Sequence, residues 1–104
     1  MNKILFIGCN NNQLLYLEHL SKLGIKIIGT DKNSYAPGRK LCDEFYEVSY
    51  TDYDSIIEIG HKQKFLSSDT IFTASSQFAH LAASIFAKQF AIRYPSEESV
   101  KTIL

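Results

Sequence analysis

Residues 3–8 read Lys3-Ile4-Leu5-Phe6-Ile7-Gly8, an almost continuously apolar run that stops at a glycine. A strand with one face in water alternates apolar and polar residues. A run without alternation marks a strand buried on both faces, as in parallel sheets covered by helices. The next residues agree with that reading. Asn11 to Leu23 predicts a helix with Leu14, Tyr16, Leu17, Leu20 and Leu23 on a broad apolar face and Glu18 and Lys22 four apart outside. Gly24 stands where a helix ends on a left-handed residue. Ile25 to Thr30 is then a second strand, ending at Asp31.

The same alternation continues. Residues 31–44 form the longest irregular stretch, with Asn33-Ser34 and Pro37-Gly38 as turn formers and one helical turn over Arg39 to Asp43. Phe45 to Ser49 is a third strand, and Thr51 is the expected N-cap of a helix carrying Tyr53, Ile56, Ile57 and Gly60 on one face. Asp69 to Thr73 is a fourth strand. Ser76 to Gln89 is a further helix, with Ala79, Ala82, Ala83 and Phe86 in a stripe narrow enough to lie close on a sheet. Phe90 to Ile92 is a candidate short edge strand, and Ser96 caps a last helix with Val100, Ile103 and Leu104 to bury. The fold class expected is α/β: a three-layer, Rossmann-like parallel sheet in the order 3-2-1-4, with 90–93 as an optional fifth edge strand and helices on both faces.

Composition narrows the functions. The chain has 104 residues, with 11 Lys+Arg against 11 Asp+Glu, 45% hydrophobic and 21% charged. That is one ordinary globular domain with no net charge. A zero balance removes the general attraction to phosphate backbones and anionic lipid, so no nucleic-acid or membrane partner is expected. The N-terminal apolar run is too short for a membrane span or a secretory leader. Cys9 and Cys42 make no disulfide scaffold, and no Cys/His cluster has zinc spacing, so a reduced, cytoplasmic protein without a bound metal is expected.

In a sheet of order 3-2-1-4 the winding reverses between strands 1 and 4, and ligands bind beyond the carboxyl ends of strands at such a switch. Three loops meet there: Gly8 to Gln13, Asp31 to Arg39 and Thr73 to Gln77. A dinucleotide fingerprint requires G-x-G-x-x-G. This chain has Gly8-Cys9-Asn10-Asn11-Asn12-Gln13, keeping only the first glycine, which disfavours NAD(P) although Asp31 stands where a ribose-binding acid would. Asn10 to Asn12 also suit turn and cap chemistry. Gln13 and Gln77 either line a polar pocket or sit solvated on first helical turns. Asp31 either binds a substrate or satisfies N–H groups of its own loop. Arg39 is suited to hold an anion bidentately, with an exposed loop role as its alternative. Cys9 is a small buried thiol, since His19, His61 and His80 have no spacing that makes any of them its base.

Several of these stretches together resemble a known family. KILFIG with Gln13 after it, then Asp31, the Ala36-Pro37-Gly38 loop, Cys42-Asp43 and Phe45-Tyr46-Glu47-Val48, resemble the N-terminal domain that precedes the ATP-grasp domain of carbamoyl phosphate synthetase-like and biotin carboxylase-like ligases. Ile71 to Gln77 (IFTASSQ) is similar to the family's strand-4 loop, and Tyr94-Pro95-Ser96 to the segment leading into the ATP-grasp domain. The resemblance implies that residues 1–95 form this domain and 96–104 begin a linker helix towards an ATP-grasp domain that the chain lacks. It implies a substrate-side role in a carboxylate–amine or carboxylate–thiol ligase. ATP and magnesium would then be bound by the missing domain, with no cofactor on this chain and no activity in isolation. The residues expected to face substrate are Gly8, Asn10, Gln13, Asp31, Arg39, Ser75 and Gln77; none is expected to be catalytic. Family members often carry Glu where this chain has Gln77, which accepts and donates hydrogen bonds but is no base. The expected partners are the ATP-grasp domain and a small-molecule substrate, with a homodimer favoured if Val100, Ile103 and Leu104 leave an apolar patch. The alternatives are a stand-alone Rossmann-like binding or interaction module and, less favoured, an NAD(P)-binding fragment.

Overall fold

Lys3–Ile7 forms β1, the strand on which the rest is assembled, in a computed structural model that describes residues 2–94. β2 (Lys26–Asp31) and β4 (Thr70–Phe72) pair with it on either side, and β3 (Glu44–Glu47) pairs with β2. All pairings are parallel, giving the order β3-β2-β1-β4. In register, Leu5 stands beside Ile28 and Ile71, and Phe6 beside Gly29 and Phe72.

The apolar run in β1 is explained by what covers it. Leu5 and Ile7 point to one face with Ile28 and Ile71, where α2 (Tyr53–Lys62) and α3 (Gln77–Phe90) bring Ile56, Ile59 and the Ala79, Ala82, Ala83 and Phe86 stripe. Ile4 and Phe6 point to the other face with Ile27, under Leu17 of α1 (Leu14–Lys22) and Ala36. Leu5, Phe6 and Ile28 are completely buried, each contributing about 1.5–3 kcal/mol relative to exposure. Gly60 lets α2 and α3 touch, since a methyl group there would collide with the Phe90 and Phe86 rings.

Local chemistry sets the element ends. The Asn10 side chain accepts from the Asn12 N–H at 3.0 Å and opens a 3-10 turn, Asn11–Gln13, so α1 begins at Leu14, not at Asn11. Gly24 ends α1 with φ 76°, as expected of a left-handed terminator. The residues Pro37–Leu41 make a 3-10 turn, a little earlier than the turn expected over 39–43. The cap of α2 is Asp52, not Thr51: its carboxylate accepts from the Ser55 N–H at 3.2 Å, and an ionised cap suits the positive end of the helix better than a hydroxyl. Ser76 caps α3 through the Ala79 N–H at 3.2 Å.

Residues 90–92 are not a strand. Phe90 closes α3, Ala91 adopts a left-handed φ of 56°, and the Ile92 N–H donates back to the Ala87 carbonyl at 2.8 Å. The helix terminator consumes the backbone groups that an edge strand would have used. The expected last helix, with Val100, Ile103 and Leu104, lies outside the described residues. Among the described residues no helix is long and apolar enough to cross a membrane.

The two faces are covered unequally. Among the described residues, α2 and α3 share one face, whereas α1 and the Pro37–Leu41 turn lie on the other, and the broad apolar stripe of α1 is only partly used: Leu17 is buried while Leu15 is 80% exposed and Tyr16 49%. Between α1 and the β4 edge lies an open apolar groove of about 620 Å³, lined by Ile4, Leu15, Tyr16, Leu20, Thr70 and Phe72.

One ion pair anchors the N-terminal edge of the sheet. Asp69 accepts from the N–H groups of Lys3 (2.9 Å) and Leu66 (2.8 Å) and lies 3.1 Å from the Lys3 ammonium. Burial disfavours its charged form, but these donors and the ammonium together outweigh burial and hold its pKa below the ordinary value. A depressed native pKa means the contribution is complete above the unfolded value of about 3.9 and is lost as pH falls through the native one. We predict that Asp69→Ala costs about 2–3 kcal/mol at pH 7. In urea titrations the gap between wild type and variant should narrow as the pH is lowered below about 4.

Candidate functional site

The carboxyl ends of the strands are tied together before they can present anything. The Gly8 N–H donates to the Thr30 carbonyl at 2.8 Å, extending the β1–β2 ladder by one bond beyond β1. Gly8 has φ 90°, a conformation that residues with side chains rarely adopt, and a Cβ there would stand a tight 3.1 Å from the Ser75 side chain. The Asp31 carboxylate accepts from the Cys9 N–H through Oδ2 and from the Asn33 N–H through Oδ1, both at 2.9 Å. It therefore joins the β1 end to the β2 loop. On the other side, the Thr73 hydroxyl donates to the Ile7 carbonyl at 2.8 Å and accepts from the Ser75 N–H at 3.2 Å. Val48 N–H donates to the Asp31 carbonyl at 3.0 Å, bringing in the loop after β3.

These ties frame a polar cavity of about 220 Å³ beyond the carboxyl ends of β1, β2 and β3, with Ser75 added from the loop after β4. Gly8, Asn10, Asp31 and Ser75, four of the seven residues expected from sequence, line it. The other three lie elsewhere. Gln13 is buried, and its Nε2 donates to the Ala74 carbonyl at 3.2 Å, bracing the strand-4 loop from behind. Arg39 donates to the Ser34 carbonyl at 2.8 Å and lies over the Phe45 ring at 4.9 Å, so it holds its own loop. Gln77 is exposed on the first turn of α3.

Thr30, Lys32, Val48 and Tyr50 also line the cavity. Sequence reasoning named three loops at the switch and omitted the loop after β3, although the rule about carboxyl ends applies to every strand. Lys32 was legible as the residue after Asp31 and supplies the positive charge at the cavity. The Thr30 hydroxyl oxygen is buried and has no hydrogen-bond partner among the described residues. Thr30 borders the cavity, and its hydroxyl carries donor and acceptor capacity that no described residue uses. The arrangement can bind a small polar or anionic group through Lys32, Asn10, Ser75 and Thr30. It has no nucleophile–base pair.

The remaining titratable candidates belong to the framework. The Cys9 thiol is buried and 3.9 Å from Cys42 Sγ. The hydrogen bond between the two and burial raise the pKa of Cys9, and the same hydrogen bond lowers that of Cys42. His80 Nδ1 is 2.6 Å from the Tyr94 hydroxyl, and burial raises the phenol's pKa. His61 packs beside the Phe90 ring. Among the described residues no group of three or more His, Cys, Asp or Glu is placed to hold a metal ion.

Solved structures share this architecture. Phosphoribosylglycinamide synthetase from Anaerococcus prevotii superimposes with a TM-score of 0.74 at 21% identity, over 93% of this chain and 24% of that one. N5-carboxyaminoimidazole ribonucleotide synthetase from Thermotoga maritima gives 0.76 at 18%, over 99% and 27%. N5-carboxyaminoimidazole synthetase from Staphylococcus aureus, crystallised with ADP, gives 0.70 at 18%, over 96% and 25%. These neighbours are ATP-grasp ligases, and the chain spans about a quarter of their length. At such identities the likeness is one of fold. No family model and no curated protein matches the sequence.

Asp31 is predicted to be a structural clasp whatever else it touches. Asp31→Ala leaves the buried Cys9 N–H without its acceptor and should cost about 1–3 kcal/mol. Hydrogen exchange should quicken at the Cys9 and Asn33 amides, while amides of α2 keep their protection relative to global stability.

Proposed function

We propose that this chain is the substrate-side, N-terminal domain of an ATP-grasp carboxylate–amine or carboxylate–thiol ligase, and that it binds a small molecule without catalysing turnover alone. The observation that carries the reading is the coverage. Nearly the whole chain superimposes on three ATP-grasp ligases while spanning only about a quarter of each. Two further features support it. The cavity beyond the strand ends is polar and small, suited to an acceptor group and not to a nucleotide. The open groove beside α1 exposes apolar surface of the kind that further polypeptide covers.

ATP and magnesium belong, on this reading, to the ATP-grasp domain of the ligase. The residues present do not fit them: the cavity's one carboxylate, Asp31, already accepts two backbone N–H bonds, and the cavity holds one basic side chain. No chemical step is assigned to this chain. Its contribution would be to orient the acceptor and to shield one side of the reacting centre from water. NAD(P) is opposed by the same geometry. Gln13 fills the position of the third glycine of the dinucleotide motif and is packed against the strand-4 loop, where close helix–strand contact would be needed.

Thermal denaturation with a ligand panel tests the proposal. A ligand at ten times its Kd adds about 1.4 kcal/mol and raises Tm by about 5–10 °C. The expected responders are amino acids or phosphoribosyl compounds such as ribose 5-phosphate, the latter suggested by the names of the neighbours. ATP–magnesium and NADP should leave Tm unchanged, and the chain alone should not hydrolyse ATP. Stabilisation by NADP, or ATP turnover by this chain, would overturn the reading.

A further inference from the structure

We propose that Cys9 and Cys42 are a dithiol site that closes into an intramolecular disulfide and so locks the wall of the cavity. This holds whether or not the ligase reading is correct, because it uses only the packing behind the cavity.

The pair is built into the fold. The two sulfurs lie 3.9 Å apart. The space they share exists because β2 has glycine at position 29: a Cβ there would collide with Cys42 Sγ and stand 3.0 Å from Cys9 Sγ. Gly38 makes the second opening, since its Cβ would stand 3.1 Å from Cys9 Cβ and 2.8 Å from the Cys9 carbonyl oxygen. Cys9 is held at both ends of its backbone, donating to Asp31 at 2.9 Å and accepting from the Gly38 N–H at 2.8 Å. Cys42 caps the 3-10 turn Pro37–Leu41 and is partly exposed, whereas Cys9 is completely buried. A disulfide needs the sulfurs at about 2.05 Å. With Cys9 fixed, the movement required falls on Cys42 and its turn.

The order of events follows from access and protonation. Solvent reaches Cys42 first, and the hydrogen bond it shares with Cys9 lowers its pKa. With glutathione disulfide as oxidant, the Cys42 thiolate attacks one glutathione sulfur, forming a mixed disulfide and expelling one glutathione thiolate. Cys9 then gives up its proton and attacks Cys42 Sγ, expelling the second glutathione. The net change is two protein thiols oxidised and one glutathione disulfide reduced to two glutathione molecules. The new bond would join the β1 end, one residue from Gly8, to the loop that runs from Asp31 to Asp43. Both Gly8 and Asp31 line the cavity.

The test uses the full chain, folded, with excess glutathione disulfide. The expected product is lighter by two hydrogens, retains no glutathione, shows no free thiol to Ellman's reagent, and yields a Cys9–Cys42 linked peptide on digestion. Its Tm should exceed that of the reduced chain by about 10 °C. Cys9→Ser should stop at the intermediate, with one glutathione on Cys42. Cys42→Ser, which removes the partly exposed thiol and keeps the core intact, should leave Cys9 unmodified while circular dichroism shows a folded chain. A wild-type product carrying two glutathiones, a disulfide between two chains, or an unchanged dithiol after prolonged oxidation would overturn the proposal.

Discussion

Strand β1 has neither a free edge nor a free face over its paired residues, and the molecule is arranged around that fact. Its backbone groups are shared with β2 and β4, and its side chains enter two separate cores. A strand in that position must be apolar throughout, and helices must lie on both sides of it. The consequences run outward. A stripe of small residues brings α3 down onto the sheet, Gly60 brings α2 against α3, and among the described residues α1 is the one α-helix over the opposite face.

The cavity is a by-product of how the strand ends are closed off. Parallel strands finish with carbonyl and N–H groups that have lost their ladder, and these must be satisfied locally. Asp31, Thr73 and Gly8 do so by reaching across to a neighbouring strand or its loop. Each bond that satisfies an orphan group also fixes a loop. The polar side chains between those loops, Asn10, Thr30, Lys32 and Ser75, are consequently held in one small space. The closure and the cavity therefore share residues: Gly8 and Asp31 tie strand ends together and also line the cavity.

Much of this was legible in the chain, for reasons tied to particular residues. KILFIG specified a doubly buried strand, the Ala79 to Phe86 stripe specified a helix in close contact with a sheet, and Gly24 specified a left-handed helix end. Four of seven expected site residues line the cavity: Gly8 and Asp31 sit directly at strand ends, and Asn10 and Ser75 only a few residues beyond theirs, where position along the chain still tracks position in the fold. Gln13, Arg39 and Gln77 sit one helical turn or a long loop away. There the side chain's direction depends on partners such as the Ala74 carbonyl or the Phe45 ring, which no local pattern announces. The apolar residues 90–92 fit a short edge strand or a helix end equally well, and the structure has the helix end. Ala91 in a left-handed conformation is an unusual terminator with no compositional signal.

The sequence by itself determined the alternation of strands and helices and the parallel order, because these follow from periodicity, turn chemistry and the handedness of crossovers. Only the tertiary structure decided which side chains share the cavity, that two cysteines far apart in the chain meet across Gly29, and that one face of the sheet is left partly uncovered. These depend on distances between elements, and such distances are set by packing across the whole core, which no single stretch of sequence contains.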